Sequence, residues 1–180
     1  SDLEDEFCLV LFLLRSAIRH TFSPSTPSNP FGPSRAVYCC SLSPRLIVHK
    51  GQLTPQQLES YFIDLGQRDF ESHYILVHSR FSTNTFPTWE RAQPLRFIAH
   101  NGEINTLKGN TNWIRSREGY MKSSKLLDEQ LKSLFPLVDP STSDSGAFDN
   151  LLEFLTTCGD HSLVESLLHM MPQPWQSDNT

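Results

Sequence analysis

The sequence has no long apolar run, no excess of basic residues and no cysteine spacing typical of a metal site. Its longest apolar run, residues 7–14, is less than half of a membrane span and follows an acidic start, so it predicts neither a transmembrane helix nor a signal peptide. A net charge of −5 with scattered basic residues gives no electrostatic basis for binding nucleic acid or an anionic membrane. The 180 residues suit one globular domain, or one large piece of a longer protein.

The four cysteines indicate neither a disulfide framework nor a zinc site. None belongs to a Cys-x-x-Cys pair or to a Cys/His ligand spacing, and adjacent cysteines at 39 and 40 would point to opposite faces of a strand. We therefore expect reduced thiols that pack in the interior of an intracellular protein. The four are Cys8, Cys39, Cys40 and Cys158.

Apolar periodicity predicts an α+β fold in which helices pack on a sheet. An apolar face at helical spacing predicts a helix over 2–20, and the Pro- and Ser-rich stretch 21–34 predicts an exposed loop. Thr54, Pro55 and Gln57 form a capping-box pattern that starts a helix ending near residue 65. The apolar face of the first helix consists of Leu3, Phe7, Val10, Leu11, Leu14 and Ile18. Further helices are predicted over 104–121, 126–134, 147–157 and 162–170, and strands over 36–41, 46–49, 74–78 and 95–99.

Polar residues begin where two of the predicted strands end, a common place for site residues in layered folds. Arg80 follows the strand 74–78 and offers a rigid fork of donors that matches a carboxylate. Asn101 and Gly102 follow the strand 95–99, and their side-chain and backbone donors can converge on one oxygen. Asp144, if it faces the same cavity, would bind an ammonium group. One cation, one anion and an oxyanion hole together indicate a site for an α-amino acid with a reactive side-chain carbonyl.

Each of these groups also has an alternative structural interpretation. Arg80 could form a surface ion pair, and Asn101 with Gly102 could form a type I′ hairpin turn. The Ser-Asp-Ser-Gly segment at 143–146 could simply cap the helix that follows it.

Two histidines beside these groups leave further alternatives open. His78 and His100 could be hydrogen-bonded histidines of the core. Together with Asp144 they could instead hold the metal ion of a metallohydrolase, although no carboxylate or third histidine stands at the usual ligand spacing. The nearby GEINTLKGNT does not match the phosphate-loop pattern, so a nucleotide site is not expected there.

Three long motifs follow one another between residues 78 and 153. They are HSRFSTNTFPTWERAQP at 78–94, HNGEINTLKGNTNWIRSRE at 100–118 and SDSGAFDNLLE at 143–153. In this order and spacing they resemble the amidotransferase domain of the glutamate synthases, which are class II glutamine amidotransferases. The resemblance covers residues 36–176, and the motifs are most similar to those of the eukaryotic NADH-dependent form.

The resemblance implies the fold of an N-terminal-nucleophile hydrolase, an αββα sandwich of which this chain would form a part. Residues 1–35 would be an N-terminal helix and a Pro/Ser-rich loop within the domain, and residues 36–180 the partial class II amidotransferase domain. The implied location is intracellular, in the cytoplasm or a plastid.

The resemblance also implies a role for each candidate site residue. Arg80 would bind the α-carboxylate of glutamine, and Asp144 would bind its α-amino group. The Asn101 side chain and the Gly102 backbone N–H would form the oxyanion hole. Two hydroxyl side chains would line the same pocket: Ser82 and Thr83.

The implied reaction of the whole protein is hydrolysis of glutamine to glutamate and ammonia, with the ammonia transferred to 2-oxoglutarate in glutamate biosynthesis. FMN, a 3Fe-4S cluster and NADH or FAD are implied for the whole protein, and none for this chain. Glutamine and the remaining synthase domains are the implied partners. The family nucleophile is an N-terminal cysteine in a Cys-Gly-Val/Ile-Gly setting, which no cysteine of this chain has, so we expect an internal fragment that is inactive alone. A non-catalytic glutamine-sensing or structural module of the same fold is the alternative.

Overall fold

The chain is largely helical in this computed structural model, which describes residues 2–22, 37–82, 85–139 and 142–171. Every helix predicted from periodicity is present, with ends that differ by a few residues. The helices are α1 (Asp2–Thr21), α2 (Pro55–Tyr61), α3 (Leu107–Glu118), α4 (Asp128–Ser133), α5 (Asp144–Cys158) and α6 (Leu163–Met170), and a short 3-10 helix covers Ile63–Gly66. The Pro- and Ser-rich loop predicted over 21–34 lies almost entirely outside the described residues.

Side chains start two of these helices as the sequence predicts. At α2, Gln57 Oε1 accepts the backbone N–H of Thr54 at 2.9 Å. At α5, Ser143 Oγ accepts the backbone N–H of Gly146 at 3.1 Å. Each of these bonds satisfies a donor that the first helical turn would leave unpaired. The capping interpretation of segment 143–146 is therefore confirmed, although the same segment has a second role described below.

The core lies between α1, α4, α5 and the loops on either side of α4. Its fully buried residues are Phe12, Leu126, Leu131, Leu134, Leu137, Phe154 and Cys158. Complete burial of one large apolar side chain contributes about 1.5–3 kcal/mol, so this cluster holds the three helices and the two loops together. None of the helices in the described ranges is both long and apolar enough to cross a lipid bilayer.

The helix α1 is predicted correctly, but the face that it buries is not. Leu3, Phe7, Val10 and Leu14 are 50–79% exposed, whereas Phe12 is only 8% exposed. Residues 7–14 are all apolar, so several faces of α1 are apolar and the spacing alone does not determine which one packs inward.

The predicted strand 74–78 is wrong, and no described residue lies in a β-strand. Tyr74, Ile75 and Val77 are 75–79% exposed. Strand preference mostly reflects packing against neighbouring strands, so an apolar segment without such a neighbour does not form a ladder. Residues 37–41 and 46–49, the described parts of two other predicted strands, also lack a ladder, and Val48 N–H instead donates to Ser41 Oγ at 3.0 Å.

The predicted strand 95–99 is also wrong, for a different reason. Leu95 N–H donates to the carbonyl oxygen of Ile98 at 2.9 Å, which closes a tight bend. The next two backbone N–H groups, of Arg96 and Phe97, donate to the carboxylate of Asp149 on α5. Because the N–H groups of residues 95–97 are already bonded, these three donors are not offered to a neighbouring strand. A layered αββα sandwich is therefore not seen in the described residues.

Candidate functional site

Residues 100–104 are held at both ends by the start of α5. The His100 Nε2 atom lies 2.7 Å from Ser145 Oγ. At the other end, Ile104 N–H donates to Asp144 Oδ2 at 2.7 Å. The residues between these two contacts, 101–103, are exposed. The structure thus places the predicted oxyanion segment against the predicted ammonium-binding carboxylate, although about 40 residues of sequence separate them.

Asn101 and Gly102 lie between the two contacts in a bend. Neither residue has a positive φ, which a type I′ turn requires at both central positions, so the hairpin-turn alternative is wrong. A Cβ built on Gly102 would meet only His100 Nδ1, at 3.7 Å. The backbone of Gly102 is therefore accessible to a ligand atom.

Ser82 supports the same segment from another side. It is 5% exposed, and its hydroxyl donates to the carbonyl oxygen of His100 at 3.0 Å. The hydroxyl oxygen of Ser82 also accepts a hydrogen bond from Gln93 Nε2 at 2.8 Å. Because its single proton is used, Ser82 holds the loop in place and has no proton left to donate to a ligand. Thr83, predicted beside it, lies outside the described residues.

Arg80 is exposed, and its guanidinium forms no ion pair with a described residue. Its backbone N–H donates to His78 Nδ1 at 3.2 Å. The surface ion-pair alternative therefore has no partner in the ranges that the structure describes. The cation remains accessible to an anionic ligand, two residues before Ser82.

Asp144 is the first residue of α5 and accepts three hydrogen bonds. Besides the Ile104 N–H, its Oδ1 accepts the Ser145 backbone N–H at 2.7 Å and the Ser145 hydroxyl at 3.2 Å. A carboxylate has about four acceptor positions, so about one remains for an ammonium donor. The N-terminal end of a helix also stabilises a negative charge. Asp144 can therefore organise the loop and still bind a cation.

A buried ionic network anchors the segment that leads into the loop, and sequence reasoning missed it. Asp149 is 0% exposed and accepts the N–H of Phe97 at 2.7 Å and of Arg96 at 3.3 Å. The Arg96 guanidinium lies 3.2 Å from Asp149 Oδ2 and 2.7 Å from Glu153 Oε2, and Arg15 of α1 also pairs with Glu153. Burial by itself lowers the pKa of Arg96, but the carboxylates of Glu153 and Asp149 outweigh it and raise the pKa. The sequence contained one signal for this network: Asp149 and Glu153 lie four residues apart, which places two acidic side chains on the same face of a helix.

Lys50 forms a second buried polar contact that the sequence did not indicate. It is 3% exposed, and its Nζ donates to the carbonyl oxygen of Glu90 at 2.8 Å and to the Tyr38 hydroxyl at 3.1 Å. Burial lowers the pKa of Lys50 to about 8. The amine therefore ties the residues near 38 to the first long motif.

The two histidines of the metallohydrolase alternative are both hydrogen-bonded to protein groups. His78 accepts a backbone N–H, and His100 contacts Ser145. Among the described residues, no group of three His, Cys, Asp or Glu side chains is arranged to hold a metal ion. The described residues therefore provide no set of ligands for the metal ion that the metallohydrolase alternative requires.

All four cysteines are free thiols, and only Cys158 is fully buried. Burial raises the pKa of Cys158 to about 12 and also raises the pKa of Cys40. Both thiols are therefore protonated near neutral pH and are poor nucleophiles there. The packing role predicted for the cysteines is confirmed for Cys158, and the other three are half-buried.

Sequence comparison assigns the chain to a known family. The chain belongs to the class II glutamine amidotransferases, because the model of that family matches residues 2–180. This family has the N-terminal-nucleophile hydrolase fold.

The curated relatives that we compared are all glutamate synthases. The chain is 52% identical to the NADH glutamate synthase of Schizosaccharomyces pombe over 84% of its own length and 7% of the relative. It is 50% identical to that of Saccharomyces cerevisiae over 97% of the chain and 8% of the relative. It is 47% identical to the large chain of the NADPH glutamate synthase of Bacillus subtilis over 79% of the chain and 9% of the relative. The chain thus spans less than a tenth of the length of each.

Proposed function

We propose that the chain is the amidotransferase part of a glutamate synthase. There it hydrolyses glutamine to glutamate and ammonia, and the ammonia is transferred to 2-oxoglutarate in glutamate biosynthesis. The observation that carries the proposal is the exposed Asn101–Gly102 segment, held at residues 100 and 104 by the start of α5. Relatives named as glutamate synthases, matched over most of the chain, support it and do not favour a sensing or structural module.

The proposed site binds the two charged ends of glutamine and stabilises the reacting carbonyl between them. The exposed guanidinium of Arg80 binds the α-carboxylate, and the remaining acceptor position of Asp144 binds the α-amino group. As the amide carbonyl becomes tetrahedral, its oxygen turns negative and accepts hydrogen bonds from Asn101 and Gly102. Ser82 and Thr83 border the same pocket.

The proposed attacking group is the sulfur atom of a cysteine. The family nucleophile is an N-terminal cysteine, and its position outside these 180 residues stays a prediction. Cys158 is not the proposed nucleophile, because its thiol is buried and burial raises its pKa to about 12.

The remaining properties of the whole protein are also proposals. FMN, a 3Fe-4S cluster and NADH/FAD would be bound by other parts of the whole protein. The other synthase domains would receive the ammonia. The αββα layering, the division at residue 35 and the location in the cytoplasm or a plastid stay predictions.

The Asn101→Ala substitution in the full-length protein tests the proposed site. Loss of one oxyanion donor lowers a rate by about 10²–10³, so the glutamine-dependent kcat should fall by that factor while KM changes little. Activity with free ammonia should remain, because ammonia does not need this site. Asn112→Ala, which removes an exposed asparagine of α3, is the matched control and should leave kcat unchanged.

The competing interpretation makes the opposite prediction. If Asn101 only shapes the backbone, its alanine variant should melt at a lower temperature and keep a near-normal kcat in the folded fraction. A folded Asn101→Ala enzyme with full glutamine-dependent kcat would end the oxyanion-hole proposal.

A further inference from the structure

Ser145 contacts both halves of the proposed site. It is 1% exposed, and its Oγ lies 2.7 Å from His100 Nε2 and 3.2 Å from Asp144 Oδ1. His100 directly precedes Asn101 in the sequence. One buried hydroxyl group therefore connects the segment that carries the oxyanion donors to the carboxylate that binds the amino group.

The direction of these two hydrogen bonds follows from donor chemistry. A carboxylate can only accept, so the single proton of the Ser145 hydroxyl points to Asp144. The hydroxyl oxygen then accepts from His100, which requires the proton of the imidazole to be on Nε2. The carbonyl oxygen of His100 is held in turn by the Ser82 hydroxyl. Both the ring and the backbone of His100 are thereby fixed.

We infer that Ser145 is a positioning residue, which acts through His100 to hold the Asn101 and Gly102 donors at a set place relative to Asp144. This inference rests on the proposed function. A misplacement of about 1 Å in a reacting geometry costs about 10²-fold in rate. A residue of this kind should affect kcat much more than KM, because the ends of the substrate are bound by other groups.

Two variants of the full-length protein test the inference. Ser145→Ala should lower the glutamine-dependent kcat by about 10-fold to 100-fold. Its ammonia-dependent activity should persist and serves to normalise for folded protein. Ser166→Ala is the matched control: Ser166 is 0% exposed, but its Oγ has no hydrogen-bond partner among the described residues, so its loss should leave kcat unchanged. Equal kcat in the Ser145 and Ser166 variants would overturn the inference.

Variants of His100 provide an independent test of the inference if Ser145→Ala does not fold. His100→Gln keeps an N–H donor near the position of Nε2 and should retain most of the kcat, whereas His100→Ala should lose as much as Ser145→Ala. Equal losses in the two His100 variants would show that the bond to Ser145 does not matter.

A double substitution separates this inference from the proposed function. In an Asn101→Ala background, Ser145→Ala should cost less than it does alone, because its effect passes partly through Asn101. Fully additive losses would overturn the positioning role and leave the oxyanion hole standing. If Asn101→Ala itself has no effect on kcat, the proposed function fails first.

Discussion

Replacing Asp149 by asparagine removes the negative charge at the centre of the buried network that anchors residues 95–99. The remaining side-chain oxygen can still accept the N–H of Phe97, now bonded at 2.7 Å. The other oxygen becomes an amide NH2 group, which faces the N–H and the guanidinium of Arg96 and cannot accept from either. The substitution therefore leaves the backbone N–H of Arg96 without its acceptor and the Arg96 guanidinium without the charge of Asp149, in a buried site.

The expected loss of stability follows from these contacts. Removing one partner of a buried ion pair costs about 3–5 kcal/mol. Arg96 keeps its bond to Glu153 at 2.7 Å, so we expect the lower end, about 3 kcal/mol of the free energy of unfolding. For a chain of this length that corresponds to a fall of about 6–12 °C in the melting temperature.

Urea unfolding of the 180-residue chain measures this loss, and amide hydrogen exchange at Arg96 locates it. Asp69→Asn, which changes an exposed aspartate in the same way, is the control and should alter the free energy of unfolding by less than about 0.5 kcal/mol. Exchange at the Arg96 amide should become faster in Asp149→Asn alone. Unchanged unfolding and unchanged exchange in that variant would refute the reasoning that this network holds the segment.

Three further predictions concern the glutamine pocket, a buried amine and a helix end. Arg80→Ala should raise the KM for glutamine by a factor that corresponds to about 2 kcal/mol of binding free energy. This is the low end for a charged pair, because Arg80 is exposed. Unchanged glutamine kinetics would place Arg80 outside the site. Burial lowers the pKa of Lys50 from 10.5 to about 8, so between these two pH values the unfolded chain binds more protons than the folded chain. The free energy of unfolding of the wild type, relative to that of Lys50→Met, should therefore rise with pH over this range when it is measured by urea unfolding. A stability difference that stays flat over this range would contradict the burial of the amine. Gly159→Ala places a Cβ 2.5 Å from the carbonyl oxygen of Leu155 and should lower the free energy of unfolding by about 1–3 kcal/mol. The control is Gly119→Ala, whose Cβ meets nothing within 4 Å and which should leave the stability unchanged. Equal melting temperatures of the two variants would disprove the close contact.

The helices were predictable because their signals are local. The Thr54–Gln57 and Ser143–Gly146 bonds join residues three apart, so a short window of sequence contains the whole interaction. The face buried by α1 was not predictable, since apolar residues lie on several of its faces. Strands depend on partners far away in the sequence, and the donors of residues 96 and 97 bond instead to a carboxylate more than 50 residues later.

The candidate site shows the same division. The motifs indicated Asn101, Gly102 and Asp144 as one site, and the structure places their segments in contact, while their roles stay predictions. The contact between His100 and Ser145 spans 45 residues and had no signal of its own in either motif. A serine at a helix start is explained well enough by capping, so nothing in the sequence alone marks its bond to a distant imidazole.

The hydrogen bonds between the start of α5 and residues 100–104 have a consequence for protein design. The segment His-Asn-Gly-Glu-Ile does not form a type I′ hairpin turn, and its two ends are bonded to side chains at the start of α5. Grafting these five residues into another scaffold would transfer the donors without their placement. A transferable unit would need two pieces, the segment itself and the Ser-Asp-Ser-Gly start of a helix, in their present relative orientation.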